Sequence, residues 1–128
     1  MKEEYTITRF LLGREGTVVP DHFFIVTGHN PFGQTVSREE NIRVNEILCR
    51  EIEHESWPYF AVTGRCADHA EDGFGIVCSR DEAVMLGRKF RQEAIYEVRN
   101  DQVLLVDCRN EEEDVFVGCW TDLLLSES

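Results

Sequence analysis

His22-Phe23-Phe24-Ile25-Val26-Thr27, a loop, and then Ser37-Arg38-Glu39-Glu40 at the head of a helical pattern form the stretch that decides the architecture. Four consecutive apolar residues, Phe23 to Val26, suit a strand covered on both faces. Behind them Ser37 stands three residues before Glu40, so each side chain can satisfy the other's free backbone N–H at a helix start. The pattern recurs: Phe74-Gly75-Ile76-Val77 precedes Ser79-Arg80-Asp81-Glu82 and a second helical run. Two strand-to-helix junctions are therefore written in the same chemistry.

Working outward, Val44, Leu48 and Ile52, with Ile47 and Cys49 beside them, give the first helix one wide apolar face, and Ser56-Trp57-Pro58 ends it. Ala83, Leu86, Gly87 and Phe90 make the stripe of the second. Gly87 costs about 1 kcal/mol of helix propensity against alanine, which close packing on a sheet would explain. Strands are expected at Tyr5 to Phe10, Tyr59 to Thr63, Phe74 to Cys78, Ala94 to Val98 and Val103 to Asp107, and Val115 starts a last strand or a packed tail ending near Leu125. Gly64 to Gly73 reads as an irregular polar link, and Arg99-Asn100-Asp101-Gln102 as a tight hairpin whose central residues tolerate positive φ.

The expectation is an α+β fold: a two-layer sandwich with a mostly antiparallel sheet, two helices on one face, and a ferredoxin-like β-α-β-β-α-β order plus extra strands. At 128 residues the chain, 1–128, is expected to be a single domain. With 42% hydrophobic and 30% charged residues, a core needs neither metal nor disulfide.

Met1-Lys2-Glu3-Glu4 lacks a secretory signal, and no apolar run approaches the ~18 residues that span a bilayer, so a cytoplasmic protein without membrane contact is expected. Five cysteines, an odd number, are expected as free thiols. Net charge is −12, from 25 acids against 13 bases. Such a field repels phosphate backbones, so nucleic acid is not an expected partner. The remaining anionic alternative is an acidic surface that imitates DNA, against the plainer reading of a solvated surface.

The richest polar cluster is His29, Asn30, Gln34, Ser37, Arg38, Asn41, Arg43 and Asn45. Around it, Ile25-Val26-Thr27-Gly28-His29-Asn30-Pro31, Ser37-x-x-Glu40-Asn41-x-Arg43, and Ala83-x-x-Leu86-Gly87-x-x-Phe90-x-Gln92-x-Ala94-Ile95 resemble the motifs of the bacterial domain of unknown function 3293 family. The resemblance spans about Tyr5 to Val106 and implies no activity. Gly28 stands where that family tends to have alanine or another small residue, and Arg91 where it has glycine.

Two roles are open to the cluster. In one, Asn30 and Asn41 tie the loop down through backbone groups. In the other, Asn30 and Asn41 read a ligand by hydrogen bonds, Arg43 pairs with its carboxylate, and Glu71 completes the site. A small molecule or a protein is then the partner. As an enzyme on a nucleotide or metabolite, the same residues would use Glu71 as general base and Arg43 as clamp. Glu39 and Glu40 in the first helical turn disfavour a phosphate there, and the Gly28 to Gly33 loop lacks the Lys and Ser/Thr of a P-loop.

Cys66-Ala67-Asp68-His69, with Glu71 and Cys78, has metal-ligand types but one short pair, so no metal and no cofactor is expected. Cys78, just ahead of a helix start, is a candidate nucleophile weighed against a buried strand-end thiol. Trp57 and Trp120 cap the core or anchor a partner. A homodimer through an exposed sheet edge is the assembly this fold allows.

Overall fold

The computed structural model describes residues 8–14, 16–29, 36–66, 69–110 and 114–125. Its elements are β1 (Arg9–Leu12), β2 (His22–Thr27), α1 (Arg38–His54), β3 (Tyr59–Cys66), β4 (His69–Ile76), α2 (Arg80–Lys89), β5 (Ala94–Arg99), β6 (Gln102–Asp107), β7 (Asp114–Cys119) and α3 (Trp120–Leu123). Among the described residues seven strands form one antiparallel sheet in the order β1-β3-β4-β2-β5-β6-β7. The protein is thus α+β, as expected. Its full strand order departs from the expected arrangement, with β1 added at one flank and β6 and β7 at the other.

Both helix starts form where the serines stand. Ser37 Oγ accepts the Glu40 N–H at 3.1 Å, and Ser79 Oγ accepts the Glu82 N–H at the same distance. Ser56, at φ 61°, turns the chain out of α1 in a conformation that blocks further helix. Gly87 proves to be a close approach: a Cβ there would lie 2.8 Å from Cys108 Sγ and 2.9 Å from Ile95 Cγ2.

Side chains along β2 alternate between two cores, as a strand's period of two dictates. Phe24 and Val26 face the helices, joining Leu48 and Ile52 of α1, Ala83 and Leu86 of α2, and Phe90 at the C-terminal cap of α2. Phe23 and Ile25 point the other way, into a cluster with Phe10, Tyr96, Val98, Val103, Leu105 and Trp120. Among the described residues no helix of α1 or α2's length covers that second face. The sheet covers it by curling. Three strands separate β1 from β5 in the order, yet the rings of Phe10 and Tyr96 meet edge to face at 5.0 Å. The curl closes where Leu125 N–H donates to Phe10 C=O at 2.6 Å, beside a parallel bridge from Phe10 to Leu124. Equally apolar residues on both faces are the physical reason, since either face left wet would forfeit its burial.

The segment read as an irregular link from Gly64 to Gly73 is instead a ribbon. β3 and β4 pair from Tyr59↔Ile76 out to Cys66↔His69. Its polar, short side chains hide a strand pattern that is half exposed; Thr63 Oγ1 donates across it to Asp72 Oδ1 at 2.8 Å. The Asn100-Asp101 hairpin is as expected, with φ of 48° and 69°. Among the described residues no helix is long and apolar enough to cross a membrane.

Candidate functional site

Of the residues named from sequence, Asn41 and Arg43 stand on α1, which follows the exit from β2, and Glu71 stands on β4. Asn30 lies outside the described residues. Asn41 is buried at 9% exposure, while Arg43, two residues on and so about 200° around the helix, is 61% exposed. Their side chains therefore leave α1 on different sides. Arg43 forks onto Glu40, Nε to Oε2 at 3.1 Å and Nη2 to Oε1 at 2.6 Å, and this bond holds the Glu40 carboxyl below its usual range. Glu71 is half-buried on β4, opposite Gly64 and beyond the last β2–β4 pair, Thr27↔Gly73.

Polar groups at the exit from β2 bind backbone. Asn45 Oδ1 accepts Gly28 N–H at 3.3 Å, and Thr27 Oγ1 accepts His29 N–H at 3.0 Å while donating to Asp72 C=O at 2.5 Å. Gln92 Nε2 donates to His29 C=O at 3.1 Å. These bonds satisfy the chain as it leaves β2, a structural task.

A concavity lies elsewhere, between the C-terminal half of α1 and the exposed face of α2. This groove, about 290 Å³, is floored by Trp57 and Leu86, walled by Met85, and lined by Glu51, Glu55 and Glu82 with Lys89. Lys89 Nζ bridges to Glu51, joining the helices across it. Glu82 completes the second helix's capping box by accepting Ser79 N–H at 2.9 Å. That backbone bond, with the Ser79 hydroxyl and the Trp57 indole N–H, holds its carboxyl below the usual range. Met85 is 67% exposed although it stands beside buried Val84 and Leu86.

A third cluster was not foreseen from the sequence. Glu97 of β5 is fully buried and accepts from His22 Nε2 at 2.6 Å, Arg80 Nη1 at 3.0 Å and Arg99 Nη2 at 2.7 Å. Arg80 also grips Asp114, at 3.0 and 2.5 Å. An isolated buried carboxylate would be prohibitively costly; three donors make this one tenable. The network clamps β2, α2, β5 and β7 together. Its signal was an acid in the apolar run Ile95-Tyr96-Glu97-Val98, yet two of its three donors, Arg80 and His22, stand 17 and 75 positions away.

Cys78 does not have the properties of a nucleophile. Burial, with the Glu82 charge second, pushes its thiol up to about 12, so thiolate is scarce at neutral pH. The described cysteines are all free. Among the described residues no group of three or more His, Cys, Asp or Glu is placed to hold a metal; Ala67 and Asp68 of the motif weighed above lie outside them.

A seven-stranded antiparallel curled sheet backed by two capped helices defines an α+β scaffold with a groove between the helices. The chain belongs to the family described as Protein of unknown function (DUF3293), which matches residues 26–95. That stretch is narrower than the resemblance read from the motifs, and contains both helices and every residue of the groove. Comparison with curated proteins and with solved structures found no match.

Proposed function

We propose that the protein is a cytoplasmic, single-domain binding module and that its docking site is the groove between α1 and α2. The observation that carries this reading is the exposed Met85 beside the half-buried Trp57, an apolar pair kept at the surface of a concavity. Sites of this kind are concave, largely apolar and edged by a few polar groups. The polar end of β2 supports the reading less well, since the Arg43 charge is already matched by Glu40 and Asn45 is engaged with backbone. The run β3-β4-β2-β5 with α1 and α2 is, in this reading, a ferredoxin-like unit extended on both flanks.

A thermal-shift screen against metabolites, nucleotides and short peptides tests it. A ligand that raises Tm by several degrees should lose its effect in Met85→Arg, which fills the groove from an exposed position and changes basal stability by no more than about 0.5 kcal/mol. A ligand effect that survives this change but is lost in Asn41→Ala or Arg43→Ala would move the site to the β2 end. Assembly is a separate question. Val115 and Phe116, 40% and 59% exposed on the terminal strand β7, support a homodimer through that edge, which light scattering would read directly.

A further inference from the structure

We infer that the groove receives a basic side chain, lysine or arginine, from a partner polypeptide; this rests on the groove being the docking site. Three carboxylates, Glu51, Glu55 and Glu82, face Lys89 as the sole cation in its lining. Glu82 stays ionised because the Ser79 N–H, the Ser79 hydroxyl and the Trp57 indole all stabilise its charge. The side chain of Glu55 has no partner among the described residues. The protein already shows what the wall accepts: Lys89 lays its own ammonium on Glu51.

The remaining surface suits the rest of such a side chain. Trp57, Leu86 and Met85 offer apolar walls for the methylene stem, while the indole face attracts a cation. A volume of about 290 Å³ takes one long side chain. Trp57 runs directly into exposed Pro58, whose C=O accepts the Val77 N–H at 2.9 Å, and Val77 is itself exposed. A polypeptide has neighbouring residues to lie there; a free amine does not. An anionic occupant is repelled, and a purely apolar one would strip water from carboxylates without replacing it. A second copy is a poor occupant, since each copy carries a charge of −12.

The test uses the full chain and an acetylated leucine-lysine-leucine tripeptide amide as probe, with norleucine or glutamate replacing the lysine as the uncharged and charge-reversed controls. The two tryptophan indole N–H signals in a nitrogen-15 correlation spectrum report the outcome, Trp57 from the groove and Trp120 from the buried inner core. The lysine probe should move the Trp57 signal and leave Trp120 in place, while both controls bind at least threefold more weakly. Glu55→Gln should weaken the lysine probe about threefold, as losing one exposed ion pair does. Lys89→Ala should strengthen it by a similar factor, because Glu51 is released. Equal shifts from the lysine and norleucine probes would overturn the inference and leave the groove as a docking site. No shift of Trp57 with any probe would overturn both.

Discussion

The two helix starts carry nearly the same four residues and use them differently. At Ser79 the capping box is reciprocal, Glu82 reaching back to the Ser79 N–H at 2.9 Å. At Ser37 only half of it forms, because Glu40 turns forward onto Arg43. The cause stands six residues after each serine: Arg43 in α1, Met85 in α2. An arginine one turn on outcompetes a backbone amide for the carboxylate, and a methionine leaves it free. The second residue of each quartet diverges as well. Arg38 is exposed, whereas Arg80 donates to the buried Glu97 carboxylate. Eight residues after each serine, Asn45 anchors a loop and Gly87 admits a strand. A shared motif locates a helix; its neighbours decide what the motif does.

The largest expected difference lies in the arginines. Arg80→Ala should cost about 3 kcal/mol in chemical denaturation, because Glu97 stays buried with one donor fewer, while Arg38→Ala should stay within about 0.5 kcal/mol. Equal costs would mean that the Glu97 network is not a clamp.

Next come the eighth positions. Gly87→Ala should destabilise by about 2 kcal/mol, since overpacking against Cys108 and Ile95 outweighs the gain in helix propensity. Asn45→Ala should cost about 1 kcal/mol for the lost bond to Gly28. A stabilised Gly87→Ala would show that α2 can slide away from the sheet.

The serines should behave alike. Each hydroxyl accepts one N–H, so Ser37→Ala and Ser79→Ala should each cost about 1 kcal/mol in the same measurement. Their glutamates should not. Arg43→Met, which gives α1 the residue α2 has, should let Glu40 swing back, seen as slower hydrogen exchange at the Ser37 amide.

Acid provides the smallest and most specific readout. Glu82 and Glu40 both titrate below the ordinary value of 4.5 when folded, Glu82 through the Ser79 backbone and Glu40 through Arg43. Each therefore adds stability that is full above that value and fades as pH falls through the depressed one. In thermal melts taken from pH 5 to about 3, Glu82→Gln and Glu40→Gln should each flatten the decline.

How much of this was legible in the residues depends on how local the determinant is. Ser37, Ser79, Phe23 to Val26, Gly87 and Asn100-Asp101 announce a cap, a buried strand, a close approach and a turn within a few positions of themselves. Reading them located both helices and the hairpin. The curl was less accessible, because it depends on Phe10 meeting Tyr96 and Leu124 across the whole chain. The β3–β4 ribbon was missed because Arg65, Glu71 and Asp72 carry the polarity of a loop while pairing as strand. The groove escaped notice for a similar reason: Trp57 reads as a core cap or a partner anchor, and only the packing of α1 beside α2 joins it to Glu51 and Lys89 in one surface.

The closure at Phe10 bears on where the family boundaries fall. Residues 26–95 hold both helices, β3 and β4, but β1, β6, β7 and α3 lie outside, and with them Phe10, Val103, Leu105, Trp120 and Leu123 of the inner cluster. A fragment excised at those boundaries would keep its helical roof and lose its lining. Val62 and Phe60 would then face water on an open trough, and such a surface invites self-association.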